Sequence, residues 1–398
     1  MATEVTQSTS EDNSAASQNA TEKDSVKLPV DIDWLVKIVT KAYPDAHGKL
    51  HNHNCSIIGQ GKGFVSVCTS VKFDWDPGSK DLNLLPRAVV IKQPTAGVIQ
   101  ENLIALHNQE CNTYSYFNTH PPAPIPLAKM FYFQLADKDT PGMLILEDLT
   151  EIGVSIEFGN EMNIEQTLQL VDNVAKVQAF GFNNPDYERY FNPLKSTPFS
   201  TLQGDFIENV QTTIEDIGVD RVKFTAEQIM KIKQAAERQL AIYVDPTQFG
   251  FTRVVCLGDL QPNNILWRRT ADGSPSNSVA AMLDFQLAHL GSCMTDICTI
   301  SVVSATTGFR RKYQQTIENR YLATLHAALN PGIECPITRD EIARARDALM
   351  AQFGALGIAN MLGAKKFIQH HNLGEQLYHA RVERIISILD DFGRKFLN

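Results

Sequence analysis

Apolar positions along the chain change their period near residue 149. Residues 1–27 carry almost no large apolar side chain, which predicts a disordered tail, because too little surface is available to offset chain entropy. From Asp31 onward, Trp34, Leu35, Ile38, Val39 and Ala42 recur at helical spacing in a segment ending near Tyr43. β-rich pieces follow over 55–73 and 87–93, then a helix-like stretch over 101–117. A further strand pair follows over 129–135 and 142–149. Strands with one intervening helix predict a small α+β lobe over residues 28–149.

Beyond that point the 3.6 period dominates. It runs through 164–182 and again through 225–244, where Thr225 followed by Gln228 forms a capping box. Short strands interrupt the helices over 253–258, 263–269 and 278–285. The last two are joined through the turn signal Asp272-Gly273. Helices resume at about Asp296 and continue to the end. The predicted fold class is α+β and bilobal, with a mostly helical second lobe over 150–398.

Composition narrows the partners. The chain has 36 Lys+Arg against 45 Asp+Glu, a formal net charge of -9. Nucleic acid and anionic membranes demand a basic surplus that is absent here. No run of about 18 apolar residues offers a membrane span, and the first residues lack the apolar core of a secretory signal. Seven cysteines, scattered and without a C-x-x-C pair, fit reduced thiols in a cytoplasmic protein. The run Arg310-Arg311-Lys312 reads as a solvated helix face.

Four segments carry candidate chemistry. Gly59-Gln60-Gly61-Lys62-Gly63 lies between strand-like pieces, where glycines let backbone N–H groups face phosphate oxygens. Lys92 ends the apolar strand Ala88-Val89-Val90-Ile91 and needs an acid or a phosphate if that strand is buried; Glu110 on the next helix is the obvious partner. Asp259 precedes Asn264 by five residues, a spacing in which the carboxylate takes a hydroxyl proton and the amide oxygen binds Mg²⁺. Asp284 ends another apolar strand and calls for a cation. Taken singly these are a tight turn, an edge charge, a polar loop and a strand-end Asp. Their order is that of the parts used for phosphoryl transfer in protein-kinase-like folds.

With these motifs the chain resembles the ecdysteroid-kinase-like, or CHK-kinase-like, small-molecule kinases in their nematode branch. The resemblance spans roughly residues 30–398. It rests on GQGKGFVS, VVIK, Glu110, LEDL at Leu146–Leu149, GDLQPNNILW and LDFQLAHLGSCMTDI. It implies an ATP- and Mg²⁺-dependent phosphotransferase acting on a hydroxyl of a small molecule such as a steroid alcohol, an amino alcohol or a xenobiotic. Gly61, Lys62, Gly63 and Lys92 would touch the ATP phosphates, with Glu110 holding Lys92. Glu147 and Leu149 would offer main-chain hydrogen bonds to adenine. Asp259 would be the catalytic base, and Asn264 and Asp284 would hold Mg²⁺. Asp296 would steady the catalytic loop. Eleven residues separate Asp284 from Asp296, too few for a peptide platform, so a small acceptor is favoured over a protein. Leu257 stands where the family commonly has His, and this motivates the alternative: a weak or inactive nucleotide-binding pseudokinase or ligand-binding scaffold.

Overall fold

The computed structural model describes residues 28–58, 66–78, 82–94, 101–157, 160–191, 206–240, 247 and 250–397. Its first helix, α1 (Ile32–Val39), starts where Asp31 accepts a hydrogen bond from Trp34 N at 2.8 Å, closing an N-cap. Leu35, Val36 and Val39 are buried. The helix stops four residues short of the predicted end, so Ala42 falls outside it and is exposed. The helix is followed by β1 (Leu50–Ile58), β2 (Ser66–Trp75) and β3 (Ala88–Pro94). Next come α2 (Glu101–Thr119), β4 (Met130–Gln134) and β5 (Met143–Glu147).

These strands form one five-stranded antiparallel sheet in the order β1-β2-β3-β5-β4. Register sets Lys92 of β3 between Cys68 of β2 and Leu144 of β5. One face buries Val71, Phe73, Val89, Ile91 and Ile145 against α1. Alternate residues turn the other way: Leu144 and Leu146 join Tyr114 and Phe117 of α2 in the main core. This alternation sends Lys92 to the α2 side, where Glu110 waits.

The helical lobe begins with β6 (Gly153–Ser155), then α3 (Ile164–Asn183), α4 (Phe206–Ile217), α5 (Ala226–Leu240) and β7 (Arg253–Cys256). It continues with β8 (Ile265–Arg269), β9 (Pro275–Met282) and β10 (His289–Ser292). It closes with α6 (Thr295–Ser304), α7 (Thr307–Ala328), α8 (Arg339–Ala359), α9 (Met361–His370) and α10 (Glu375–Phe392). Here β6, β8 and β9 make a small antiparallel sheet and β7 pairs with β10. Asn163 and Gln166 exchange hydrogen bonds as a capping box that starts α3. The strands β6 and β10, three and four residues long, lie outside the sequence prediction. An α+β fold with an antiparallel first lobe and a helical second lobe is what the periodicity predicts.

Of the basic run on α7, Arg311 and Lys312 are exposed as expected, but Arg310 is not. Arg310 is buried, and both it and Arg311 donate to Asp391 of α10, with nitrogen–oxygen distances of 2.6 to 3.0 Å. The charges lock α7 to α10.

Candidate active site

The two lobes meet at a buried cluster of charges. Lys92 Nζ lies 2.6 Å from Glu110 Oε2 and donates to Asp284 Oδ1 at 3.0 Å. Glu110 is almost wholly buried, at 2% side-chain exposure, whereas Asp284 keeps 27%. Burial pulls the Lys92 ammonium down, but the facing carboxylates of Glu110 and Asp284 outweigh it and hold the group charged. Burial raises Glu110, with the Lys92 charge opposing it.

Asp284 reaches this position through backbone geometry. Ile265 of β8 pairs with Met282 of β9, and Leu283 N donates to Asn264 O at 2.9 Å. The next residue, Asp284, has φ 62. A left-handed conformation is uncommon outside glycine, Asp and Asn tolerating it best, and such backbone concentrates at functional sites. Phe285 follows and packs its ring against Tyr114 at 5.3 Å and Phe117 at 6.2 Å, which ties the strand end to α2.

Asp259 lies within electrostatic reach of Asp284 and Lys92. Its carboxylate accepts from Gln261 Nε2 at 2.8 Å and from Asn264 Nδ2 at 3.0 Å. Burial raises its pKa above the ordinary carboxylate value; the Gln261 and Asn264 bonds oppose this, Asp284 adds to it and Lys92 subtracts. Gln261, two residues after Asp259, is therefore a direct partner of its carboxylate. With its NH₂ turned onto Asp259, the Asn264 side chain presents its oxygen, which accepts only at 3.3 Å from Asn263 Nδ2. That oxygen and the second carboxylate oxygen of Asp284 are hard donors, the kind Mg²⁺ takes alongside substrate phosphates. Among the described residues no three His, Cys, Asp or Glu side chains are grouped to cage a metal by themselves.

The loop leading to Asp259 is clamped from below. Asp296, buried at the start of α6, accepts from Leu257 N at 2.8 Å and Gly258 N at 2.9 Å. Burial lifts its pKa to about 6 against these two bonds. Gly258 has φ +89, and a Cβ there would fall 2.0 Å from Leu287 O, so only glycine fits. The Leu287 carbonyl also accepts from His289 Nδ1 at 2.8 Å. Leu257 packs in the core at 1% exposure. The loop before Asp259 is thus held by Asp296, with His289 fixing the Leu287 carbonyl that crowds Gly258. Sequence reasoning assigned His289 no role, although it lies within the LDFQLAHLGSCMTDI motif.

His289 gives a measurable signature. Burial lowers its pKa from 6.5 to about 4. The unfolded chain takes up this proton as pH falls through 6.5 and the folded chain does not until about 4, so the stability due to His289 is complete above 6.5 and drains away below it. Asp296 works in the opposite sense, because the folded form keeps its proton up to about 6. His289→Gln is expected to lower stability at pH 7. Between pH 7 and pH 5 it should then lose roughly 2 kcal/mol less than the wild type. Urea midpoints at the two pH values test this, and parallel losses in both proteins would contradict it.

At the end of β5, Glu147 N donates to Lys129 O at 2.8 Å and Asp148 N to Ala88 O at 3.1 Å. Asp148 also accepts from Ser70 Oγ. Among the described residues the Glu147 carbonyl and the Leu149 N–H have no hydrogen-bond partner. Gly61, Lys62 and Gly63 lie outside the described residues. A cleft of about 650 Å³, lined by Tyr187, Phe251, Arg253 and Arg344 among others, lies at the far end of β7 from Asp259 and contains none of this cluster.

A five-stranded antiparallel lobe joined through β5 to a helical lobe, with a Lys–Glu pair on the first and an Asp–Asn loop on the second, is the architecture of the protein-kinase-like fold. Residues 94–396 match the family described as DUF1679, uncharacterized oxidoreductase dhs-27, and the chain belongs to that family. The matched region includes Glu110, Asp259, Asn264 and Asp284 but begins just after Lys92. The chain is 24% identical over 318 residues to the uncharacterized oxidoreductase dhs-27 of Caenorhabditis elegans, a match covering 74% of this chain and 38% of that protein. It is 23% identical over 232 residues to the uncharacterized kinase-like protein D1044.1 of the same organism, covering 56% of this chain and 58% of that one. The chain thus spans well under two thirds of either relative. Among solved structures it is similar to a microcompartment-associated aminopropanol kinase, with a TM-score of 0.49 and 10% identity over 90% of this chain and 98% of that one. Family membership is consistent with the ecdysteroid-kinase-like resemblance of the motifs.

Proposed function

We propose that the chain is a small-molecule kinase that moves the γ-phosphoryl group of ATP to a hydroxyl of its acceptor, with Mg²⁺. The observation that carries this is the convergence of Lys92, Glu110 and Asp284 within electrostatic reach of the bonded pair Asp259 and Asn264. No structural role demands that a lysine be shared between two carboxylates at a lobe junction, and phosphoryl transfer requires such positioning and charge neutralisation.

In this proposal Lys92 contacts the α- and β-phosphates, with Glu110 fixing its orientation. Gly61, Lys62 and Gly63 cover the phosphates. Glu147 C=O and Leu149 N–H meet the edge of adenine. Asn264 and Asp284 hold Mg²⁺, which would neutralise charge on the phosphate oxygens. Asp259 takes the acceptor's hydroxyl proton as that oxygen bonds to the γ-phosphorus and ADP leaves. Its raised pKa makes it a stronger base than an exposed Asp. Residues 28–149 and 150–398 act as the two lobes of one catalytic unit.

The word oxidoreductase belongs to a relative of which this chain matches 38%. A dinucleotide-binding fold needs a parallel sheet and a glycine-rich turn from strand into helix. Every pairing between described strands here is antiparallel. The pseudokinase alternative draws on Leu257, and the bonds from Leu257 and Gly258 to Asp296 supply the loop support it supposes lost.

A nucleotide titration followed by thermal unfolding tests the first half of the proposal. ATP with Mg²⁺ is expected to raise Tm more than ATP alone, and Asp284→Asn to abolish the Mg²⁺-dependent part. No shift at millimolar ATP would contradict nucleotide binding.

A further inference from the structure

Two arginines one turn apart on α10, Arg381 and Arg384, lie on a half-buried face of that helix. Arg384 is explained in part: its Nη1 donates to Val302 O and Val303 O at the C-terminal end of α6, at 3.2 and 2.7 Å. Its nearest acid, Glu161, is 3.8 Å away and 46% exposed. Arg381 is not explained by the fold. Packed below the surface, with part of its side chain still reaching solvent, it has no hydrogen bond, ion pair or ring contact among the described residues. Burial, and then the neighbouring Arg384, pulls its guanidinium below the ordinary value. Arg384 is lowered by burial too, with Glu161 opposing. Two cations face one loosely held carboxylate, leaving an excess positive charge on a half-buried face that solvent still reaches. Neighbouring guanidinium groups with one weak counter-charge favour an oxyanion between them.

The position of this pair relative to the reacting groups follows from α6. The first turn of α6 carries Asp296, which holds the Gly258 N–H next to Asp259. Seven residues later it carries Val303, held by Arg384. That separation is about 10 Å of helix. Between them Thr295, Thr299 and Val302 share one half-buried face at i, i+4 and i+7. A molecule lying along that face would run from the helix end that clamps the Asp259 loop to the end held by Arg384.

We propose that Arg381 and Arg384 form an anion subsite, and that the acceptor carries a carboxylate or a phosphate or sulfate ester about 10 Å from the hydroxyl that is phosphorylated. The inference rests on the proposed kinase activity for the acceptor's identity, but not for the anion site itself. Guanidinium forks suit either oxyanion.

Two measurements separate these parts. In the first, inorganic sulfate is titrated into the full chain without nucleotide and Tm is followed. Sulfate is expected to raise Tm of the wild type, to do so less in Arg381→Lys, and to have no effect in Arg381→Met. Without sulfate, Arg381→Met should match or exceed the wild-type Tm, since one of two neighbouring like charges is removed. An equal sulfate shift in Arg381→Met, or none in the wild type, would overturn the subsite whether or not the chain is a kinase. In the second, transfer from ATP is compared for a hydroxy acid, its phosphate-ester counterpart and its neutral amide. The anionic compounds should be preferred, and Arg381→Lys should raise their KM about tenfold or more with the KM for ATP unchanged. Indifference to the anion would overturn the acceptor class. A complete lack of transfer would strike the kinase proposal, while the sulfate titration still decides the subsite.

Discussion

Asp259→Asn is expected to lower phosphoryl transfer by about 10²–10⁴-fold, the range typical of a lost general base, while ATP affinity is retained. Asn matches Asp in size, and its side-chain oxygen can still accept from Gln261 Nε2 or Asn264 Nδ2, so the loop geometry should persist. The clamp below it, Asp296 with Leu257 N and Gly258 N, does not involve the substituted atoms. What disappears is the second anionic oxygen, raised in basicity by burial, that takes the hydroxyl proton. Steady-state rates with a matched nucleotide titration give the comparison. A variant that loses ATP binding along with turnover would assign Asp259 to nucleotide binding instead.

The second large effect is on stability. Lys92→Met leaves Glu110 buried at 2% exposure with no cation, and Asp284 without its 3.0 Å partner. Breaking one side of a buried pair typically costs about 3–5 kcal/mol. The loss should grow with pH. Without Lys92, burial and the Asp284 charge act on Glu110 against only a backbone hydrogen bond from Phe285, and the folded form retains its proton to higher pH than the unfolded form, so stability falls as pH rises through the folded value. Adding Glu110→Gln should remove that slope and recover part of the loss. It should not restore ATP binding, because the phosphate-facing cation is still absent. Urea unfolding at pH 5 and 8 with ATP titration of both variants checks each step. A pH-independent loss would show that Glu110 is not the group left stranded.

These effects were largely foreseeable because the sequence breaks local rules at the site. A lysine ending Ala88-Val89-Val90-Ile91 and an aspartate ending Ala280-Ala281-Met282-Leu283 are expensive in an apolar strand, and the structure brings both to one point. Pairings formed by distant segments were not legible. Arg310 and Arg311 look like a solvated run until Asp391, about eighty positions away, meets them. His289 lies in a strand of four residues, too short to show alternation, and its role depends on the Leu287 carbonyl beneath Gly258. α1 ends early because Thr40 caps it, its N–H donating to Val36 O and its hydroxyl to the same carbonyl. Arg381 offers no sequence signal, since a charged residue on an amphipathic helix is ordinary. Only its lack of a partner in the fold sets it apart.

The central claim is transfer of phosphate to a small molecule, and γ-labelled ATP tests it most directly. The full chain, with Mg²⁺ and a pooled extract of hydroxylated metabolites, is expected to place the label in at least one low-mass product. Asp259→Asn should leave that product unlabelled. ATP binding without any labelled small molecule, or equal labelling by Asp259→Asn, would contradict the account.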